Sequence, residues 1–370
     1  MQQEVRKMAS NTETQKKSGA FQALAKCWSK YSYIFVFAII LVVYAIVIIA
    51  NGNAFNSGHI SVIFSSQNTV IVGTMALGMA LVIITGQIDL SVGSSLVLCT
   101  GVCILTYNAT GGNVFLMILS ALAAGFLCGL INGLFVGLAK MPPFIVTLGT
   151  MLIYRSLTLS FVREIDPALT GSSSSQFSML SDMPSYDFLR MKFGTGSLKI
   201  AGFKFPYITF LFVFITIFFI FLMSKTKYGK SVYAVGSNEK TARLSGISVE
   251  WVKVSVFVIT GVLVGIASFI QACKIGNVTP ASSGVSYEMY AIAAVVLGGV
   301  NMSGGRGKLL GVFFGALSYT TINFIIVSIP ALSTDIQDTF QGIVLIAVIF
   351  IQTVGPVVKE KILSVRRKMA

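Results

Sequence analysis

Between Tyr31 and Ala139 the chain carries one formal charge, the carboxylate of Asp89. No water-soluble fold keeps so long a stretch free of charge, because its outer surface would have nothing to offer water. The whole chain of 370 residues agrees: 11% of residues are charged and 55% hydrophobic, against about 25% charged for a soluble domain. Runs such as "FVFAIILVVYAIVIIA" (Phe35 to Ala50) are apolar on every face, which suits a lipid-embedded helix. A closed barrel would need polar and apolar residues in alternation. The fold class expected is all-α: a polytopic membrane protein.

About ten spans are expected, near 32–50, 60–84, 89–107, 113–139, 143–162, 206–224, 253–272, 287–300, 308–328 and 338–357. The eighth is too short to cross unaided and reads as a broken or re-entrant element. The formal charge of +14 does not point to nucleic acid, because the basic residues cluster at the ends of apolar segments. Arg6, Lys7, Lys16, Lys17, Lys26 and Lys30 precede the first span, and Lys359, Lys361, Arg366, Arg367 and Lys368 follow the last. Lys225, Lys227, Lys230, Lys240, Arg243 and Lys253 share one middle loop. This positive-inside pattern predicts a plasma-membrane protein with a basic cytoplasmic segment 1–30, a membrane domain 31–358 and a basic cytoplasmic tail 359–370. It also makes 225–252 cytoplasmic and 162–205 external. The external segment, rich in Pro, Gly and Ser, reads as an irregular connection: either a contact surface or a loose surface loop.

A lone carboxylate in an apolar run must be hydrated, paired or used. Asp89 and Ser91 lie in "TGQIDLSVGSS", where one span ends and the next begins. One reading makes either residue a helix N-cap, with Gly86 and Gly93 permitting a tight turn and close packing. The other makes them a polar gate or substrate contact in a broken helix. The motif has an echo: "GQIDLSVG" (Gly86 to Gly93) aligns without gaps to "GGVNMSGG" (Gly298 to Gly305), pairing Asp89 with Asn301 and Ser91 with Ser303. Duplicated halves with broken helices would explain it, and so would chance in glycine-rich membrane sequence. Both copies fall on the cytoplasmic side, which does not suit a simple inverted repeat.

Arg155 sits deep in an apparent span, and Glu288 opens the eighth. An arginine at that depth calls for an acidic partner, Glu288 or Asp89, unless it reaches an interface. The five cysteines (Cys27, Cys99, Cys103, Cys128 and Cys273) form no CxxC pair, and one histidine, His59, cannot complete a zinc site with them. No phosphate loop is found. "YGKS" has Ser224 where the first glycine belongs, and "RGKL" has Met302 there and no hydroxyl after its lysine. Any ATP must be hydrolysed by another chain.

"AVGSNEKTARLSGISVEW" (Ala234 to Trp251) spells a helix of about two turns in the basic loop. Ser237 or Asn238 is suited to the N-cap, Glu239 to the first turn, Arg243 to the last and Gly246 to the stop. A helix this short is marginal alone and must dock on a partner protein or on lipid.

These stretches, with "INGLFVGLAKMPPFIVTLGTMLIYRSLTL" and "SYEMYAIAAVVLGGVNMSGGRGKLLG", occur in one order along nearly the whole chain from the second span onward. In that set and order the chain resembles the permease subunits of bacterial sugar ABC importers of the ribose, xylose and galactose type. The resemblance implies a coupling helix that enters a groove of an ABC ATPase, with Gly236, Asn238, Ala242, Arg243, Leu244, Ser245, Gly246 and Ile247 matching the family pattern. Thr241 stands where alanine is usual, and Ser156 where glycine is common. It also implies a second permease chain, identical or different, an extracytoplasmic solute-binding protein docking near 162–205, and ATP with Mg held on the ATPase rather than here. Asp89, Ser91, Gly93, Asn301 and Ser303 are then candidates for the translocation path or gate, with Arg155 and Glu288 as intramembrane charges. The spans hold few amide side chains, so specificity is expected mainly in the binding protein. The competing reading is an ion-gradient-coupled secondary transporter using Asp89, Glu288 and Arg155.

Overall fold

In lipid each backbone amide and carbonyl must find a partner within the protein, and apolar runs solve this by becoming helices. The computed structural model describes residues 31–65, 68–172, 175–200, 203–329 and the helical positions 339, 342–343, 346–347 and 350. Among them seven helices are long and apolar enough to cross a bilayer. They are α1 (Tyr31–Ala50), α4 (Val92–Ala109), α5 (Val114–Gly133, prolonged by a π-helical turn Leu134–Leu138), α6 (Pro143–Glu164), α9 (Tyr207–Lys225), α12 (Val249–Ile275) and α14 (Leu309–Val327). α2 (Ser57–Ser65) and a π-helical turn leading into α3 (Gly73–Ile84) are together as long and apolar as a span but bent by 43°, the shape of a broken span or of a re-entrant loop. α13 (Tyr287–Leu297) has 11 residues, about 16 Å of helix and half of a bilayer core. The expected eighth element is therefore the half-length helix that its sequence suggested. The expected span at 338–357, like the terminal segments 1–30 and 359–370, lies largely or wholly outside the described residues.

The body is organised on α12, which packs against α3, α4 and α5. Its contact with α5 is backbone to backbone. Gly125, Gly129, Gly133 and Gly137 recur every fourth residue and present one bare stripe to α12. A methyl at Gly133 would stand 2.8 Å from the Val254 carbonyl oxygen, and one at Gly137 2.7 Å from that of Glu250. With lipid outside, such close approach supplies the packing that a hydrophobic effect cannot.

The segment after α6 is an ordered cap, in contrast to an irregular or loose connection. It holds α7 (Pro167–Thr170), β1 (Phe177–Ser178), α8 (Tyr186–Leu189) and the hairpin β2 (Ser197–Ile200) with β3 (Phe203–Pro206). β1 pairs antiparallel with β4 (Asn277–Val278) beyond α12. The buried amide of Asn108, near the end of α4, donates to Leu169 O at 2.7 Å and Ser178 O at 2.9 Å, and accepts from Leu180 N at 3.1 Å. Arg190 donates to the Cys273 and Lys274 carbonyls at the end of α12. Polar side chains therefore fasten the segment to the bundle, and composition alone does not reveal it. The remaining helices, α10 (Lys227–Ser237) and α11 (Glu239–Leu244), lie at the other, basic end.

Candidate functional site

α3 ends on Gly86 in the left-handed conformation (φ +78°), with Gly86 N donating to Ile83 O and Gln87 N to Val82 O. This is a Schellman cap. The chain then runs unwound to Asp89, which is 3% exposed. Asp89 Oδ1 accepts from Ser91 N at 2.9 Å and from Ser91 Oγ at 2.7 Å. Ser91 Oγ in turn accepts from Asn132 Nδ2 of α5 at 2.8 Å. The carboxylate thus satisfies a free amide just before α4 begins, while the Ser91 side chain makes no cap bond to the helix.

The second motif repeats the device. α13 ends on Gly299 (φ +78°), with Gly299 N donating to Val296 O and Val300 N to Val295 O. Asn301 Oδ1 then accepts from Ser303 N at 3.0 Å. The sequence echo is therefore an echo of structure, with one slip. The acceptor follows its left-handed glycine by three residues in the first copy and by two in the second, so Gly299 and not Gly298 is the counterpart of Gly86.

The two turns meet each other and the basic segment. Gly305 N donates to Ile84 O at 2.8 Å, and Gly236 of α10 packs directly on Ile84 O and Gly305 N. Tyr233 of α10 adds a hydroxyl bond to Gly307 O at 2.9 Å. Burial pushes the Tyr228 phenol up to about 12, outweighing the lowering by its hydrogen bond with Ser255, so it stays neutral.

Away from this junction, the starts of α4 and α13 converge. A methyl on Gly93 would lie 2.5 Å from both the Glu288 carboxylate and the Gly284 carbonyl oxygen. Arg155 of α6 reaches the same turn but makes no ion pair. Its Nη1 donates to Pro280 O at 2.6 Å and Ser283 O at 2.7 Å, and no carboxylate lies within 4 Å of it among the described residues. The expected pairing with Glu288 or Asp89 gives way to two carbonyls of the turn that precedes α13, which already answer the guanidinium. Asp89, Ser91, Gly93, Arg155 and Glu288 are thus gathered around two helix starts, whereas Asn301 and Ser303 stand at the junction with α10.

Asn132 and Gln87 belong to this polar region and were not singled out from sequence. Asn132 Oδ1 and both amide atoms of Gln87 are buried without a hydrogen-bond partner among the described residues. The signal available was an uncharged polar residue inside an apolar run, in "GLINGL" and in the motif itself. Buried amide atoms without a partner, one of them on the Asn132 that holds Ser91, can exchange hydrogen bonds with a polyhydroxylated molecule or with water.

α11 forms as its sequence dictates. Asn238 is the N-cap, accepting from Thr241 N at 2.9 Å, and Gly246 (φ +80°) stops the helix with a third Schellman pattern onto Arg243 O and Ala242 O. Ala242 is buried, but Leu244 is 87% exposed. Arg243 turns inward on Glu250 at 2.6 Å, Glu250 also meets Lys140 at 3.7 Å, and Glu239 meets Lys253 at 2.6 Å. Such exposed pairs are screened by water, so they orient α11 more than they stabilise it. Ser245 and Ile247 complete the turn that leads into α12.

Residues 61–349 match the family model described as the permease component of the branched-chain amino acid transport system. The chain is 37% identical over 257 residues to the ribose import permease protein RbsC of Bacillus subtilis, covering 70% of this chain and 74% of that one. It is 31% identical over 300 residues to the galactose/methyl galactoside import permease protein MglC of Escherichia coli, covering 78% and 84%. The fructose import permease protein FrcC of Rhizobium meliloti is 29% identical over 311 residues, covering 84% and 81%. No solved structure matches the chain. With a described membrane body, a doubled glycine turn and matches over most of its length, the chain belongs to this family of transport-system permease components.

Proposed function

We propose that the chain is the membrane-spanning subunit of an ATP-driven importer, carrying a sugar or sugar-like solute inward. The substrate class rests on the relatives, which are named for ribose, galactose and fructose import. The basic end faces the cytoplasm, as the positive-inside pattern requires, and the α6–α9 cap faces outward to receive solute from a binding protein. ATP and Mg sit on a partner ATPase, and a second permease chain completes the path. The unpartnered amide oxygen of Asn132, whose nitrogen holds Ser91, suits a hydroxyl-rich solute passing the starts of α4 and α13. The ion-coupled reading is disfavoured by the relatives, which are named as sugar import permease proteins.

One observation carries the reading. α11 is capped, held in place by ion pairs, presents Leu244 almost fully exposed, and follows directly on Gly236, where both glycine turns meet. A partner that pulls on α11 pulls on both turns. The test is co-purification of the tagged chain from its native membrane in mild detergent, for wild type and Leu244→Asp. The wild type brings ATPase activity with it, and Leu244→Asp loses it at an unchanged melting temperature. Wild type without ATPase, or a variant that keeps all of it, sinks the reading.

A further inference from the structure

We propose that the β2–β3 hairpin and the start of α2 form a binding site for the phosphate headgroup of an anionic membrane lipid. The hairpin pairs Ser197 with Pro206, Leu198 with Phe205, Lys199 with Lys204 and Ile200 with Phe203. Side chains alternate across a strand, so this register sorts them by chemistry. One face carries Leu198, Ile200, Phe203 and Phe205; the other carries Ser197, Lys199 and Lys204. Leu198 and Ile200 are each 46% exposed.

Lys199 and Lys204 stand directly opposite each other, an arrangement that destabilises a hairpin unless an anion bridges it. No carboxylate lies within 4 Å of either lysine among the described residues. The lysine face meets a cavity of about 370 Å³ lined by Ser57, Ser61, Thr195, Ser197 and Lys204, together with Gly58, Val62 and Pro206. Four hydroxyls and an ammonium suit a phosphate ester with a polyol head, and the start of α2 adds the positive end of its dipole.

The location selects the lipid as the source. β3 runs without a break into α9, so the hairpin sits at the height where the apolar core begins. Phe205 packs on Phe64 and Phe210, and Leu198 and Ile200, exposed on that same apolar face and turned away from the lysines, are offered to acyl chains.

The test is native mass spectrometry of the full chain in detergent, loaded with phosphatidylglycerol or phosphatidylcholine. Wild type retains phosphatidylglycerol in preference. Lys199→Gln/Lys204→Gln retains it about 5-fold less for each lysine replaced, and Lys199→Arg/Lys204→Arg restores it. Soluble glycerol phosphate does not displace it. Equal retention of the two lipids, or unchanged retention in the glutamine variant, overturns the proposal, and displacement by glycerol phosphate reassigns the site to a free phosphate ester. Lys204 is exposed and lines the cavity, so Lys204→Gln alone carries the test if the double variant melts early.

Discussion

The two glycine-framed turns use one backbone device at two depths. In each, a left-handed glycine closes a helix and an oxygen from Asp or Asn accepts the amide of a serine two residues later. The first is buried: Asp89 also holds the Ser91 hydroxyl, and through it the amide of Asn132. The second is exposed, and Asn301 does no more than close the turn. The turn itself therefore needs an acceptor and no charge. What burial adds is a set of polar neighbours, and the carboxylate belongs to them.

Breaking the contact between the turns should have the largest effect. Gly236 lies so close to Ile84 O and Gly305 N that an added methyl collides with backbone, which has no rotamer to escape into. Gly236→Ala is expected to lose about 3 kcal/mol or more and to abolish uptake. Gly86→Ala is the control: its methyl would meet nothing within 4 Å, so only the left-handed backbone is strained, at about 1–2 kcal/mol. Melting temperatures in detergent rank the two, and a milder Gly236→Ala would mean that the turns are not locked together.

Next comes the buried carboxylate. Asp89→Ala strips the Ser91 amide and hydroxyl of their acceptor and should cost about 1–3 kcal/mol. Asp89→Asn keeps an acceptor in place, as Asn301 does, and should fold to within about 1 kcal/mol of wild type. Uptake by a folded Asp89→Asn chain then reads the charge alone. If Asp89→Asn melts as early as Asp89→Ala, the charge is structural and the likeness between the turns is only superficial.

The α5–α12 contact can be weighed on the same scale. Gly133→Leu forces a branched side chain against the Val254 carbonyl and should lower stability by about 1–3 kcal/mol, whereas Gly149→Leu on α6, with nothing within 4 Å, should not. Equal melting temperatures for the two would dissolve the stripe as a packing surface.

The apolar runs made the helices legible, and cap chemistry made α11 legible down to Asn238 and Gly246. The echo of the glycine motif pointed to a real shared turn, because glycine, Asp or Asn and Ser are chosen there by backbone geometry. What stayed hidden had no residue-type signature. Arg155 ends on two carbonyls, and every residue carries a carbonyl, so the side chain looked as though it lacked a partner. The α6–α9 cap is pinned by Asn108 and Arg190 to backbone atoms for the same reason. Which helix the glycine stripe faces was also unmarked, since nearly every face of every span is apolar. The stripe itself, every fourth residue from Gly125 to Gly137, was readable and is the sign to seek in such chains.

The smallest expected effect is the most discriminating. Asn301→Ala removes one exposed hydrogen bond and should cost about 0.5–1 kcal/mol, while Asn301→Asp keeps the acceptor and leaves its charge to solvent, with no measurable loss. The exchange Asp89→Asn with Asn301→Asp should then be no less stable than Asp89→Asn alone. Additivity is expected because the two acceptors share no hydrogen-bond partner. A further drop in melting temperature for the exchange would show that charge at 301 is felt across the Gly305–Ile84 contact. The two turns would then act as one electrostatic unit, not as two copies of one turn.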